Sequence, residues 1–152
     1  MDNANAVVRP PIGWALAFIA GVALDWLYPM PLVPIPVSTV WAGAAIFAVG
    51  FVLAIWAIVT IRKAGMRVET NKPTTTIVES GPYSFTRNPI YIGMFLGQSG
   101  FAVGFNSLWL LVALLPFYFV IRYGVIGREE TYLERKFGAA YLDYKSRVGR
   151  WL

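Results

Sequence analysis

The sequence contains no cysteine and no histidine. The first absence excludes disulfides, iron–sulfur clusters and thiol catalysis. The second removes imidazole bases, most zinc sites and axial haem histidines. Charge is also scarce: Asp, Glu, Lys and Arg make up 14% of the 152 residues, against about 25% in an ordinary soluble domain. Chemistry in this chain has to use carboxylates, Tyr, Lys, Arg, Asn, backbone groups or a cofactor, and no metal site is expected. Apolar residues fill the space. The AVILMFWYC set makes up 57% of the chain, while a soluble domain of this size buries only about 70% of its unfolded surface. Both figures argue against a soluble globule, a disordered chain or a fibre. The length suits one domain, residues 1–152.

A spanning helix needs roughly 20 mostly apolar residues. Four stretches qualify, at about 12–28, 38–61, 89–105 and 107–126, with Pro116 as an expected kink in the last. They do not alternate apolar with polar residues, so β-barrel strands are disfavoured. The expected fold is an all-α integral membrane protein with about four transmembrane helices. Residues 127–152 add an amphipathic cytoplasmic helical segment of the kind that lies in a membrane interface. The segment Lys72 to Val78 is too short to span and reads as an extended piece over one end of the bundle.

The basic residues fix the orientation. Residues 29–37 and the turn at Asn106 carry no charge. The stretch 62–88 carries Arg62, Lys63, Arg67, Lys72 and Arg87 against Glu69 and Glu79. The stretch 122–152 carries seven Lys and Arg against Glu129, Glu130, Glu134 and Asp143. With four spans, all 13 basic residues, Arg9 included, fall on one side. The positive-inside rule makes that side, and both termini, cytoplasmic. A bacterial inner membrane or another plasma-type membrane is the expected location. The net charge of +5 therefore reads as topology and attraction to anionic lipid, not as nucleic-acid binding. One Arg against one Asp ahead of the first span is a poor leader.

The densest local signal is Gly81 to Gly93, GPYSFTRNPIYIG. Gly81-Pro82 breaks the chain, Asn88 suits an N-cap and Pro89 suits the first helical position. A helix start offers free N–H groups and a positive dipole end, and Arg87 adds a fork of donors beside them. An ordinary helix start with an interfacial Arg accounts for the same residues. Gly93, Gly97, Gly100 and Gly104 then share one helix face. That ridge reads as close helix packing, with a homo-oligomer as one outcome, and as room for a bound cofactor, and the two can hold at different depths. Further on, Ile126, Leu133, Phe137 and Tyr144 form an apolar stripe with Glu130 in its middle and Glu129 on its flank. A carboxylate there needs a ligand or a cation, with Arg87, Arg122 and Arg128 as candidate partners. Asp25, the only charge well inside a span, sits near the edge away from the basic side. That is poor support for a small four-span transporter. A non-catalytic scaffold leaves Glu130 unexplained.

Together GPYSFTRNPIYIG, the glycine-lined span and EETYLERKFGAAYLDYKSRVGRWL resemble the membrane methyltransferases that include isoprenylcysteine carboxyl methyltransferases and phospholipid N-methyltransferases. The resemblance covers about residues 74–152. It implies S-adenosylmethionine-dependent methyl transfer near the cytoplasmic face, to a lipophilic or small membrane-accessible acceptor or to membrane lipid. It places Arg87, Asn88, Pro89, Tyr91, Gly93, Glu129 and Glu130 in the cofactor site, and the glycine ridge adds Gly97. Arg87 and Glu130 are the expected catalytic residues. Asn88 stands where many members of the family have His.

Overall fold

The structure, a computed structural model, describes residues 7–34, 38–66 and 74–152. Parts of the 29–37 and 62–88 loops, including Arg67, Glu69 and the Lys72-Pro73 start of the extended piece, lie outside the described residues. The described residues are helical, with no strand beyond one isolated bridge between Pro31 and Ser107. Helix α1 spans Pro10–Leu27 and α2 spans Val40–Lys63. A short 3-10 turn at Gly81–Ser84 leads into α3, Pro89–Gly104. The helical run after Ser107 is broken at Ala113 into α4, Leu108–Val112, and α5, Leu114–Phe119. This is the kink expected at Pro116, which has no N–H to give the carbonyl of Val112. A π-helical stretch, Val120–Ile126, continues into α6, Gly127–Phe137. Gly138, at a φ of 54°, turns the chain into α7, Ala139–Arg147.

Three helices are long and apolar enough to cross a membrane: α1, α2 and the run Leu108–Phe137. The span expected at 89–105 is the helix α3, but its 16 residues measure about 24 Å, short of the ~30 Å hydrocarbon core. It lies along α2. One end of the bundle is tied by hydrogen bonds between the loop after α1 and the turn after α3. Leu32 N–H donates to the carbonyl of Asn106 at 3.2 Å, and Leu108 N–H to that of Met30 at 2.8 Å. The side chain of Asn106 exchanges bonds of 2.9 and 3.0 Å with the backbone of Val33, and Trp109 Nε1 donates to the carbonyl of Tyr28 at 2.7 Å. Asn106 itself has a φ of 52°, which Asn tolerates better than most residues. This end, which carries no basic residue, lies opposite the one that holds the end of α2 and the start of α3.

The contact between α2 and α3 is made by small residues on both helices. A Cβ added to Gly100 would lie 2.6 Å from the amide nitrogen of Phe47 and 2.8 Å from the carbonyl of Gly43. One added to Gly93 would lie 2.6 Å from the carbonyl of Gly50. Gly43 and Gly50 on α2 are equally tight against α3. At Gly93 and Gly100 the ridge on α3 is thus a packing surface against α2. Its matching half, Gly43 and Gly50, was not apparent in the charge-free second span. The residues are not equivalent: a Cβ at Gly97 would meet only the Phe47 ring, at 3.9 Å. The main core joins Tyr91, Phe117, Ile121, Val125 and Ile126, with Trp14 and Phe95 packed against it. A smaller core of Tyr141, Tyr144 and Val148, with Ile77, Leu133 and Phe137, sits under α6 and α7.

The two glycines predict opposite outcomes. Gly100→Ala should destabilise by about 1–3 kcal/mol, because two backbones must separate. Gly97→Ala should be neutral or stabilising by up to about 1 kcal/mol, since it gains helix propensity without a clash. Thermal unfolding of both variants in detergent checks this; equal destabilisation would contradict the packing.

Candidate functional site

The segment Gly81–Pro89 is held in place by the chain that follows α7. Arg87 N–H donates to the carbonyl of Gly149 at 3.0 Å. Thr86 Oγ1 and Asn88 Nδ2 both donate to the carbonyl of Arg150, at 3.3 and 2.8 Å. Trp151 rests against Phe95 and Tyr118, with ring centroids 5.9 and 5.8 Å apart. Asn88 does occupy the N-cap position, and Pro89 the first helical position, as expected. Its side chain does not cap the helix, however, because the amide has turned to Arg150. Among the described residues the first turn of α3 therefore has no side-chain cap.

Arg87 and Glu130 meet here. Arg87 Nη1 donates to Glu130 Oε1 at 2.9 Å and to the Tyr141 hydroxyl at 3.3 Å. The side chains of Arg87 and Glu130 are each only 9% exposed. Arg87 Nε is buried and has no hydrogen-bond partner among the described residues. Arg150 approaches the same carboxylate from the other side, with Nε to Oε1 at 2.8 Å and Nη2 to Oε2. Of the cations expected to pair with Glu130, Arg87 does so and Arg122 does not; Arg122 lies over the Tyr123 ring. Glu129, one residue earlier, takes a different direction. It accepts from the Tyr91 hydroxyl at 3.1 and 3.2 Å.

A cavity of about 820 Å³ lies between these groups and the start of α1. That is near the top of the range for small-molecule sites, roughly 300–1,000 Å³. One part of its wall carries Arg87, Asn88, Tyr91, Glu129, Tyr132 and Tyr141. Another is apolar, formed by Ile12 of α1, Ile61 of α2 and Ile90 and Met94 of α3. Thr74, Thr76, Ile77 and Val78 form a further wall, so the described part of the extended piece does lie over this end of the bundle. Tyr144 donates its hydroxyl to the carbonyl of Tyr83 at 2.8 Å. Burial, then the neighbouring Tyr144 and Glu129, push the Tyr83 hydroxyl well above the usual phenol range; burial and Tyr141 do the same to Tyr144. Both stay protonated at neutral pH.

The expected site residues therefore divide into three groups. Arg87, Asn88, Pro89, Tyr91 and Glu129 line the cavity. Glu130 is not in its wall; it stands behind Arg87. Gly93 and Gly97 face α2, with Gly93 against Gly50 and Ala54, and neither lines the cavity. Sequence reasoning missed Arg150, Thr86 and the start of α1. Arg150 lies past the last helix, where no periodicity marks a side.

The model of the phospholipid methyltransferase family matches residues 38–140. A nickel-cobalt-cadmium resistance protein of Alcaligenes xylosoxydans xylosoxydans is 30% identical over 108 residues, 71% of this chain and 50% of the relative. An uncharacterized protein of Haemophilus influenzae is 56% identical over 48 residues, 31% of this chain and 73% of the relative. The protein-S-isoprenylcysteine O-methyltransferase of Saccharomyces cerevisiae is 35% identical over 86 residues, 54% of this chain and 35% of the relative. The chain thus spans half the length of the first of these relatives and about a third of the yeast enzyme. No solved structure matches it. With about two thirds of its residues inside the family match, joined to an all-helical bundle whose cavity is lined by the Arg87 and Glu129 motifs, the chain belongs to the phospholipid methyltransferase family.

Proposed function

We propose that the chain transfers a methyl group from S-adenosylmethionine to a lipophilic or small membrane-accessible acceptor at the cytoplasmic face. The observation that carries this reading is the content of one cavity. It combines Arg87, a carboxyl at Glu129, tyrosine faces and an apolar wall. S-adenosylmethionine presents a carboxylate, an ammonium, ribose hydroxyls, an adenine and a sulfonium. Arg87 and the uncapped first turn of α3 suit the carboxylate. Glu129 suits the ammonium or the ribose. The rings of Tyr132 and Tyr141 suit the adenine or the sulfonium. Bound there, the cofactor supplies an electrophilic methyl carbon.

The protein's contribution is placement, because a displacement at carbon depends on the approach of the two partners. The wall of Ile12, Ile61, Ile90 and Met94 excludes water and receives an acceptor from the bilayer side. Tyr83 and Tyr144 hold their protons and leave Glu129 as the carboxyl available in the cavity wall. An acceptor that arrives deprotonated, such as a carboxylate, needs no base. An amine or a thiol has to lose a proton. Glu130 acts through Arg87 rather than on the ligand.

Calorimetric titration of the detergent-purified protein with S-adenosylmethionine, followed by a labelled-methyl screen of lipid, prenyl-thioether, thiol and amine acceptors, tests the reading. Absence of binding would overturn it. Glu129→Gln should lower cofactor affinity about 10- to 150-fold, the loss of one charge-assisted contact, with little change in melting temperature. A destabilised variant with unaltered affinity would remove Glu129 from the site.

The same reading sets sidedness. Arg62, Lys63, Arg87 and the charges after Ile126 lie at the end opposite the loop after α1, so that end is proposed to be cytoplasmic. Here α3 counts as the fourth pass of an antiparallel bundle. Reporter fusions after Leu152 and within residues 29–34 should report opposite sides. The same side for both would eliminate this topology.

A further inference from the structure

The surroundings of Glu130 hold one more cation than a simple ion pair needs. Arg150 grips both carboxylate oxygens, through Nε and Nη2. Arg87 reaches only Oε1, through Nη1. Two guanidinium groups on one carboxylate leave the Arg87–Glu130–Arg150 cluster with one net positive charge. Its place is set by access: Arg87 lines the cavity, while Glu130 and Arg150 do not. Arg87 also keeps its buried Nε unpartnered among the described residues. Without Arg150, Glu130 would cancel the charge of Arg87. Its freed oxygen would then compete for the Arg87 fork, since carboxylates bind guanidinium best in a two-point pair. The backbone repeats the arrangement, because the carbonyls of Gly149 and Arg150 hold residues 86–88 in place.

We propose that Arg150 is a positioning residue that determines anion recognition in the cavity: by neutralising Glu130 from behind, it leaves Arg87 free to bind a carboxylate. This rests on the cofactor reading above, in which that carboxylate belongs to S-adenosylmethionine. The role is one of charge as well as of shape. It should therefore discriminate between S-adenosylmethionine and its decarboxylated analogue, which keeps the sulfonium and an amine but lacks the carboxylate.

The test is calorimetric affinity for both compounds in the wild type, Arg150→Gln, Arg150→Lys, Glu130→Gln and the double variant Arg150→Gln/Glu130→Gln. Arg150→Gln should weaken S-adenosylmethionine binding roughly 10-fold or more, the scale of a lost charge-assisted contact, and leave the analogue within about 2-fold. The double variant should recover most of the loss, because Arg87 again carries an uncancelled charge. Arg150→Lys, which keeps the charge without the fork, should fall between. Glu130→Gln should retain the preference for the carboxylate. Equal weakening of both compounds by Arg150→Gln, or a double variant no better than the single, would overturn the proposal. Should Arg150→Gln fail to fold, a lost preference in Glu130→Gln would overturn it too, and a retained preference together with an intermediate Arg150→Lys would support it. If the wild type binds neither compound, the cofactor reading itself fails and this inference falls with it.

Discussion

The buried carboxylate of Glu130 is the point on which the site depends. It joins three parts of the chain that are distant in sequence: the turn before α3, helix α6 and the stretch after α7. A carboxylate this buried cannot be left alone, because an isolated charge in an apolar surrounding is very costly to desolvate. Removing one partner from such a group typically costs about 3–5 kcal/mol. Local chain geometry follows from satisfying it. The bond from Arg87 fixes the entry to α3, the grip of Arg150 fixes the last residues, and their carbonyls then take the amides and hydroxyl of residues 86–88. Asn88 is drawn away from the helix end by the same contacts, which is why the first turn of α3 faces the cavity uncapped.

The glycine contact supplies the rigid platform beneath this arrangement. Helix α3 is short for a membrane pass, and its position comes from α2, where Gly43 and Gly50 let two backbones touch Gly93 and Gly100. Without a hydrophobic force between helices in lipid, such close approach is one of the main sources of association. It holds the start of α3 beside the end of α2, so Ile61 and Ile90 end up in the wall of one cavity. The glycines therefore serve the site from a distance, by fixing where its helix begins.

Much of this was legible in the residues, and the exceptions have physical causes. The start of α3 at Pro89, the break near Pro116 and the different surroundings of Glu129 and Glu130 all follow from local rules about caps, missing N–H groups and helical period. The ridge from Gly93 to Gly104 is visible for the same reason. Its partner glycines on α2 stand out less, because Gly43 and Gly50 are seven residues apart among many other small and apolar residues. The number of membrane passes rests on length, and α3 falls below the usual measure. Arg150 counts in the sequence only as one more basic residue after the last span. Its role depends on a backbone path after α7 that no periodic pattern encodes. Asn88 has the right residue type and position for a cap, but a carbonyl 62 residues away outcompetes the helix for its amide.

The π-helical stretch explains how one continuous helix serves both the membrane core and the site. Phe117, Ile121 and Val125 are buried at intervals of four, the spacing of one α-helical face. The next buried positions, Ile126 and Glu130, lie five residues beyond Ile121 and Val125. In an α-helix five residues rotate the face by about 140°, which would point these two away from the core. The wider turn at Val120–Ile126 bonds i to i+5 and brings five-residue neighbours back into line. Ile126 can then close the main core while Glu130, one turn on, meets Arg87. Glu129, adjacent in sequence, is rotated off that face and takes the hydroxyl of Tyr91 in the cavity wall. Adjacent positions of α6 thus give the two carboxylates different partners: Glu130 is committed to the protein's own cations, and Glu129 lines the cavity.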